Sequence, residues 1–282
     1  MIPVSFSYER AASLDDAVAK LGAGGGKLIA GGHSLVPLMK LRLSEPGRLI
    51  DISRIPGLSG IRESGGKIEI GATTVHHEIA TSKVLRDKCP VLAEAAAEIG
   101  DAQVRNRGTI GGSVAHADPA ADLPAVILAL DADLQLRGKG GARTVKASDF
   151  FQGFYTVDLQ PSEIITAVQF TPVKTAGYAK LHQRASHYAV VGVAAVLEIK
   201  GGVIQAARIG LTGATTHAVR LTDVEKALAG QKANADVIKT ASVQAGSAIA
   251  DLNADLHASA DYRRAMIPVF TRRALEKALS RA

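Results

Sequence analysis

Apolar residues fall into short runs punctuated by glycine, proline and charge, and the character of the runs changes along the chain. Residues 13–22 predict a short helix, with Ser13 as its N-cap and Gly22 just past its end. Residues 27–30 read as a buried strand and 48–52 as a second one, with a brief helical turn over 35–43 between them, giving a small β-α-β unit. A second unit follows. Residues 67–72 alternate as a strand, 90–99 read as a helix opened by Pro90 and stopped by Gly100, and Asp118 to Pro124 introduce an apolar helix over 125–130. Strands over 132–137 and 163–170 close that unit near Pro172. Beyond it, β-branched runs at 189–199 and 203–211 meet at Lys200-Gly201-Gly202, a hairpin signal. Thr222-Asp223-Val224-Glu225 has the capping-box pattern, with its helix ending at Gly230, and helices at about 236–249 and 262–279 complete the chain. The pattern predicts an α+β protein in two parts, residues 1–176 (subdomains about 1–57 and 58–176) and residues 177–282.

Two short segments break this regularity in the same way. Ala30-Gly31-Gly32-His33-Ser34 and Thr109-Ile110-Gly111-Gly112-Ser113 each run from apolar residues through a glycine pair to a hydroxyl. Glycine lets a ligand approach the backbone closely, and successive N–H groups in such a turn can converge on an anion. A matched pair suggests a diphosphate held from two sides; either alone is also an ordinary turn. Neither segment has the spacing of a Walker loop or of a Rossmann fingerprint.

Composition narrows the chemistry. At 47% hydrophobic and 21% charged residues the chain is ordinary for a globular protein. Its net charge of +6 is dispersed, and with 4% aromatics and no Trp there is no stacking platform for single strands, so nucleic acid is set aside. The N-terminus shows no secretory pattern and no apolar run reaches the length of a membrane span. Cys89 is the only cysteine, so the chain can hold neither an internal disulfide nor an iron–sulfur cluster of the usual four thiolates; it reads as a small buried hydrophobe in a reducing compartment. His76-His77-Glu78 lacks ligand spacing, His33 and His116 flank the glycine segments without forming a cluster, and no metal is expected.

Taken together, these residues resemble the FAD-binding medium subunit of the molybdenum hydroxylases, the group containing bacterial carbon monoxide dehydrogenase and xanthine dehydrogenase. The likeness rests on both glycine segments in the family's order and spacing, on Ile2-Pro3 and Phe6, on the stretch 99–107, on Asp118-Pro119 and Asp122-Leu123-Pro124, and on Tyr188-Ala189-Val190-Val191. It extends over essentially the whole chain. The resemblance implies a PCMH-type FAD-binding domain of two α/β subdomains followed by a CO-dehydrogenase-flavoprotein-like C-terminal α+β domain. It implies that backbone N–H groups around Gly31, Gly32, Gly111 and Gly112 hold the FAD diphosphate, within loops that include Ile29, Ala30, His33, Leu35 and Ile110 and are helped by the hydroxyls of Ser34, Thr109 and Ser113. Asp122 matches an acid that binds cofactor hydroxyls, although by itself it also reads as a helix cap beside Pro124. Ile99 and Ile165 match positions lying along the cofactor, Tyr188 matches an aromatic close to the isoalloxazine, and Lys180 and His182 straddle a basic position near the flavin. Ser113 departs from the family's frequent Asn.

The resemblance further implies a large molybdopterin-binding subunit that hydroxylates the substrate, a small subunit with two [2Fe–2S] clusters, and a dimer of heterotrimers. This chain would contribute no catalytic residue of its own; it would pass electrons from the clusters through FAD to an external acceptor. The acceptor stays open among oxygen, NAD, a quinone or another carrier. The expected location is cytoplasmic, the inner face of the membrane included. Two alternatives stand beside this: a stand-alone PCMH-type FAD oxidase, and a non-catalytic scaffold subunit.

Overall fold

The computed structural model describes residues 2–282. The first unit comprises β1 (Ser7–Arg10), α1 (Leu14–Gly22), β2 (Gly26–Ile29), α2 (Leu35–Lys40) and β3 (Arg48–Asp51). Its sheet is parallel in the order β1-β3-β2. Central β3 carries the buried Leu49 and Ile50; β2 is an edge strand and only half-buried, which corrects the expectation of a buried strand there. Strand β1 escapes the pattern because Ser-Tyr-Glu-Arg has no apolar face. Ser13 caps α1 as expected, its hydroxyl accepting the Asp16 N–H, but Gly22 is the helix's last residue.

The second unit comprises β4 (Ile61–Ser64), β5 (Lys67–Gly71), α3 (His76–Thr81), α4 (Lys83–Lys88), α5 (Pro90–Ala97), α6 (Ala102–Arg105), α7 (Ile110–His116), α8 (Asp122–Ala129), β6 (Asp133–Gly138), β7 (Gly141–Lys146), α9 (Ala147–Phe150), β8 (Phe151–Gly153), β9 (Thr156–Val157) and β10 (Ile164–Phe170). Strands β4-β5-β10-β6-β7 form an antiparallel sheet covered by the helices. Cys89 is fully buried, and burial pushes its thiol up to about 12, so it is inert at neutral pH.

The third unit is an antiparallel sheet, β11 (Ala176–His182), β12 (Ala189–Lys200), β13 (Val203–Thr212) and β14 (Val219–Arg220), with α10 (Thr222–Leu228), α11 (Ala235–Ser242) and α12 (Ala260–Leu279). The unbroken apolar run of β12 has a physical cause: it is covered on both faces. Ala194 and Val196 join the core beneath α8, while Val191, Val193, Ala195 and Leu197 join the core beneath α12. Helix α8 lies so close to β13 that a Cβ on Gly210 would fall 2.0 Å from the Ala125 carbonyl oxygen.

Two predicted helices need correction. The Thr222 capping box does not form: Leu221 is the N-cap, and the Glu225 carboxylate is taken by the Arg220 guanidinium and the Ile209 N–H. The helix expected at 236–249 stops at Ser242, followed by turns and a Gly246 at φ +78°.

Candidate functional site

The first glycine segment leaves β2, turns at Gly32 (φ +76°) and enters α2. Among the described residues, no acceptor in the chain meets the N–H groups of residues 30–35. Ser34 is the N-cap of α2, and its side chain makes no capping bond. Six consecutive donors and one hydroxyl are therefore left to an outside partner, the arrangement that binds anions. The segment is pinned from behind, because a Cβ on Gly31 would lie 2.1 Å from the Arg107 carbonyl oxygen.

Arg107 leads directly into the second segment, so the two glycine segments meet. Here the sequence expectation needs correcting. Thr109-Ile110-Gly111-Gly112-Ser113 is not a loop but the cap and first turn of α7, with Thr109 as N-cap. Its N–H groups already have partners: Ile110 donates to Thr74 O, Gly111 to Ala72 O at 2.8 Å, Gly112 to the Thr109 hydroxyl at 3.1 Å and Ser113 to Thr109 O. Gly111 is required by packing, since its Cβ would lie 2.5 Å from that of Ala72. The half-buried Ser113 hydroxyl makes no bond within the chain and remains available.

Histidine 76 sits at this junction. Its N–H donates to Gly108 O, its ring is where a Cβ on Gly108 would fall, and its buried Nδ1 has no partner. Burial, with a smaller contribution from His33, pulls its pKa down to about 4 from an ordinary 6.5. The unfolded chain then binds the extra proton between these values, so stability falls as pH drops from 6.5 to 4, by about 3 kcal/mol. Urea denaturation across this range should show that slope in the wild type and a flatter one in His76→Gln; parallel curves would exclude His76 as its source. His33 is exposed, with Nδ1 3.2 Å from Gly31 O, and the His116 ring packs on Tyr155 at 4.9 Å. Among the described residues no group of three His, Cys, Asp or Glu could hold a metal.

Asp122 begins α8, whose N-cap is Ala121, so the capping reading of this carboxylate is not what the fold uses. Its Oδ1 instead accepts from the Tyr178 hydroxyl at 2.5 Å and lies 2.8 Å from Lys180 Nζ, both on β11. Lys180 also donates to Glu98 O at 2.9 Å, and its side chain is only 1% exposed. Burial pushes the Asp122 carboxyl up from the usual carboxylate range, opposed by Lys180 and then Tyr178. His182, by contrast, is exposed and stacks on His187. Tyr188 stands 46% exposed at the far end of the β11–β12 connection.

The chain before Asp122 is clasped by the third unit. Gly213 N–H donates to Pro119 O at 2.7 Å, Ala189 N–H to Ala120 O at 3.2 Å, and Thr212 Oγ1 lies 2.8 Å from the carbonyls of Pro119 and Ala121. Buried Arg263 on α12 donates to Val190 O and Gly213 O, holding both strand ends in place. Of the remaining candidates, Ile165 is a core residue at 4% exposure, whereas Ile29, Leu35 and Ile99 are half-buried and Ile110 is buried. Tyr178, Thr212, Arg263 and His76 carry no sequence signal of a site. Each looks like a strand or helix residue until the units are packed. Two surface grooves of about 540 and 480 Å³ are lined by residues away from both glycine segments. The candidate site is thus an open cradle between elements of all three units.

Known proteins resemble this chain along its whole length. The family described as the FAD binding domain in molybdopterin dehydrogenase matches residues 4–172, and the CO dehydrogenase flavoprotein C-terminal domain matches residues 176–278. The chain is 41% identical to the carbon monoxide dehydrogenase medium chain of Hydrogenophaga pseudoflava, covering 100% of this chain and 99% of that one. It is 38% identical to the glyceraldehyde dehydrogenase medium chain of Sulfolobus acidocaldarius, over 98% and 99%. The solved carbon monoxide dehydrogenase from Hydrogenophaga pseudoflava that lacks the Mo-pyranopterin moiety superimposes with a TM-score of 0.95 over all of both chains, at 42% identity.

Proposed function

The chain belongs to the FAD-binding medium subunits of the molybdenum hydroxylases, and on that premise we propose that it is the electron-transfer subunit of such an oxidoreductase complex. In this reading it takes electrons from the [2Fe–2S] clusters of a small partner subunit and delivers them to an external acceptor. A large molybdopterin subunit carries out the hydroxylation, and the parts assemble as a dimer of heterotrimers in the cytoplasm. Among the described residues no helix is long and apolar enough to cross a membrane. The observation that carries the reading is the run of unpartnered N–H groups over residues 30–35, set against α7.

Bound FAD would supply a centre able to exchange one or two electrons. The residues of this chain would bind and orient it. The N–H groups of residues 30–35 neutralise the diphosphate, and the Ser34 and Ser113 hydroxyls add donors. The glycines of α7 let that helix press against Ala72 and present Ser113. Asp122 accepts from cofactor hydroxyls. Of the two basic candidates, Lys180 is closed off by Asp122 and Glu98, which leaves His182, near Tyr188, as the one open to a ligand. Near-equal identity to medium chains of enzymes named for different substrates fits a subunit that does not select the substrate.

Visible absorption of the chain alone, and of the chain with the subunits that co-purify from its native source, tests this. Flavin bands, with iron–sulfur absorption and molybdenum confined to the complex, are expected. Turnover by the isolated flavin-bearing chain would instead make it a stand-alone oxidase, and absence of flavin from both samples would leave a scaffold.

A further inference from the structure

We propose that Tyr178 is a positioning residue of the cofactor site: from the third unit it fixes the Asp122 carboxylate so that only Oδ2 is offered to a ligand hydroxyl. The inference rests on the reading of Asp122 as the acceptor for cofactor hydroxyls. Tyr178 is 1% exposed, and phenylalanine would fill the same core volume. A buried hydroxyl is tolerated only where it is bonded, and here its partner is Asp122 Oδ1. The neighbouring strand makes room for it: a Cβ on Gly192 of β12 would lie 2.6 Å from the Tyr178 hydroxyl oxygen.

Lys180 Nζ reaches the same Oδ1, so that oxygen takes two donors from one strand. Oδ2 takes no donor from another side chain, and the Asp122 side chain as a whole is 5% exposed. The two β11 donors set the rotation of the carboxylate, and with it the direction of the free oxygen. Asp122 faces Lys180 and Tyr178 from β11, with Glu98 beyond α5 and Tyr188 beyond β11 as its other ionisable neighbours.

The test uses the assembled complex, stripped of flavin and titrated with FAD. Tyr178→Phe should raise the FAD dissociation constant about tenfold, with the melting temperature read on the same sample. Gly192→Ala, which displaces the hydroxyl without removing it, should weaken FAD in the same direction. Asp122→Asn/Tyr178→Phe should bind no more weakly than Asp122→Asn, because Tyr178 acts through Asp122. On acidification Tyr178→Phe should release FAD at a higher pH than wild type, since the Tyr178 bond helps to hold the Asp122 proton off. Additive losses in the double variant, or an unshifted pH profile, would overturn the proposal. If Asp122→Asn keeps full affinity while Gly32→Val loses it, the Asp122 inference falls and the role of residues 30–35 stands. A wild-type complex that takes up no FAD would remove the reading of the whole site.

Discussion

A Gly31→Val chain is expected to assemble without FAD, with the affinity for added flavin lowered by well over about tenfold. The new Cβ would sit 2.1 Å from the Arg107 carbonyl oxygen and 2.9 Å from the Gly108 Cα, both backbone atoms that cannot swing aside. The segment would have to lift off the lead-in to α7, displacing the six unpartnered N–H groups that it carries. Overpacking of this kind costs about 1–3 kcal/mol even where side chains can yield. Gly32→Val should give a cleaner loss. Its neighbour is the Val36 side chain at 3.2 Å, but φ +76° is strained for valine, so the turn reshapes while the fold around it survives. Gly111→Val should act differently, lowering the melting temperature by driving α7 off Ala72. Flavin-to-protein ratios and melting curves on the three variants separate these cases. Full flavin occupancy in Gly31→Val and Gly32→Val would mean that the diphosphate sits elsewhere.

Lys180→Met is expected to destabilise the protein by about 3–5 kcal/mol, the usual cost of stranding one member of a buried ion pair. Its side chain is 1% exposed and that of Asp122 5%, so neither charge can turn to water when its partner is lost. Tyr178 alone would remain to compensate the carboxylate. The neutral pair Asp122→Asn/Lys180→Met should recover most of the loss, because the amide still accepts from Tyr178 and no charge is buried. Chemical denaturation of the four proteins reads this directly. A Lys180→Met protein within about 1 kcal/mol of wild type would show that the pair contributes no more than a surface contact.

The same pair shows where reading a sequence stops. Asp122 stood out beside two prolines and Lys180 as one of two basic candidates, but nothing in their 58-residue separation says that they touch. Only tertiary packing, with β11 against α5 and α8 against the neighbouring β12, joins them, and it leaves Lys180 buried and paired while His182 is exposed. In the second glycine segment the composition was informative and its apparent meaning was not. Gly111 is glycine because Ala72 stands 2.5 Å from where its Cβ would be, a neighbour 39 residues earlier. The missed β1 and the overextended helix past Ser242 are local errors of the same origin, since edge pairing and turn contacts override weak patterns.

By itself the sequence determined most of the larger helices and strands, the Ser13 cap of α1, the hairpin of β12 and β13, the single buried thiol and the two glycine segments. These follow from short-range rules: capping, side-chain periodicity and the absence of a Cβ. The tertiary structure alone decided which N–H groups stay unpartnered, that the glycine segments touch through Arg107 and Gly108, and that the third unit holds Asp122 and the chain before it through Thr212, Gly213, Tyr178 and Lys180. Those are contacts between residues far apart in the chain. Such contacts form only when the three packed units satisfy each other's buried polar groups, and no local pattern records that condition.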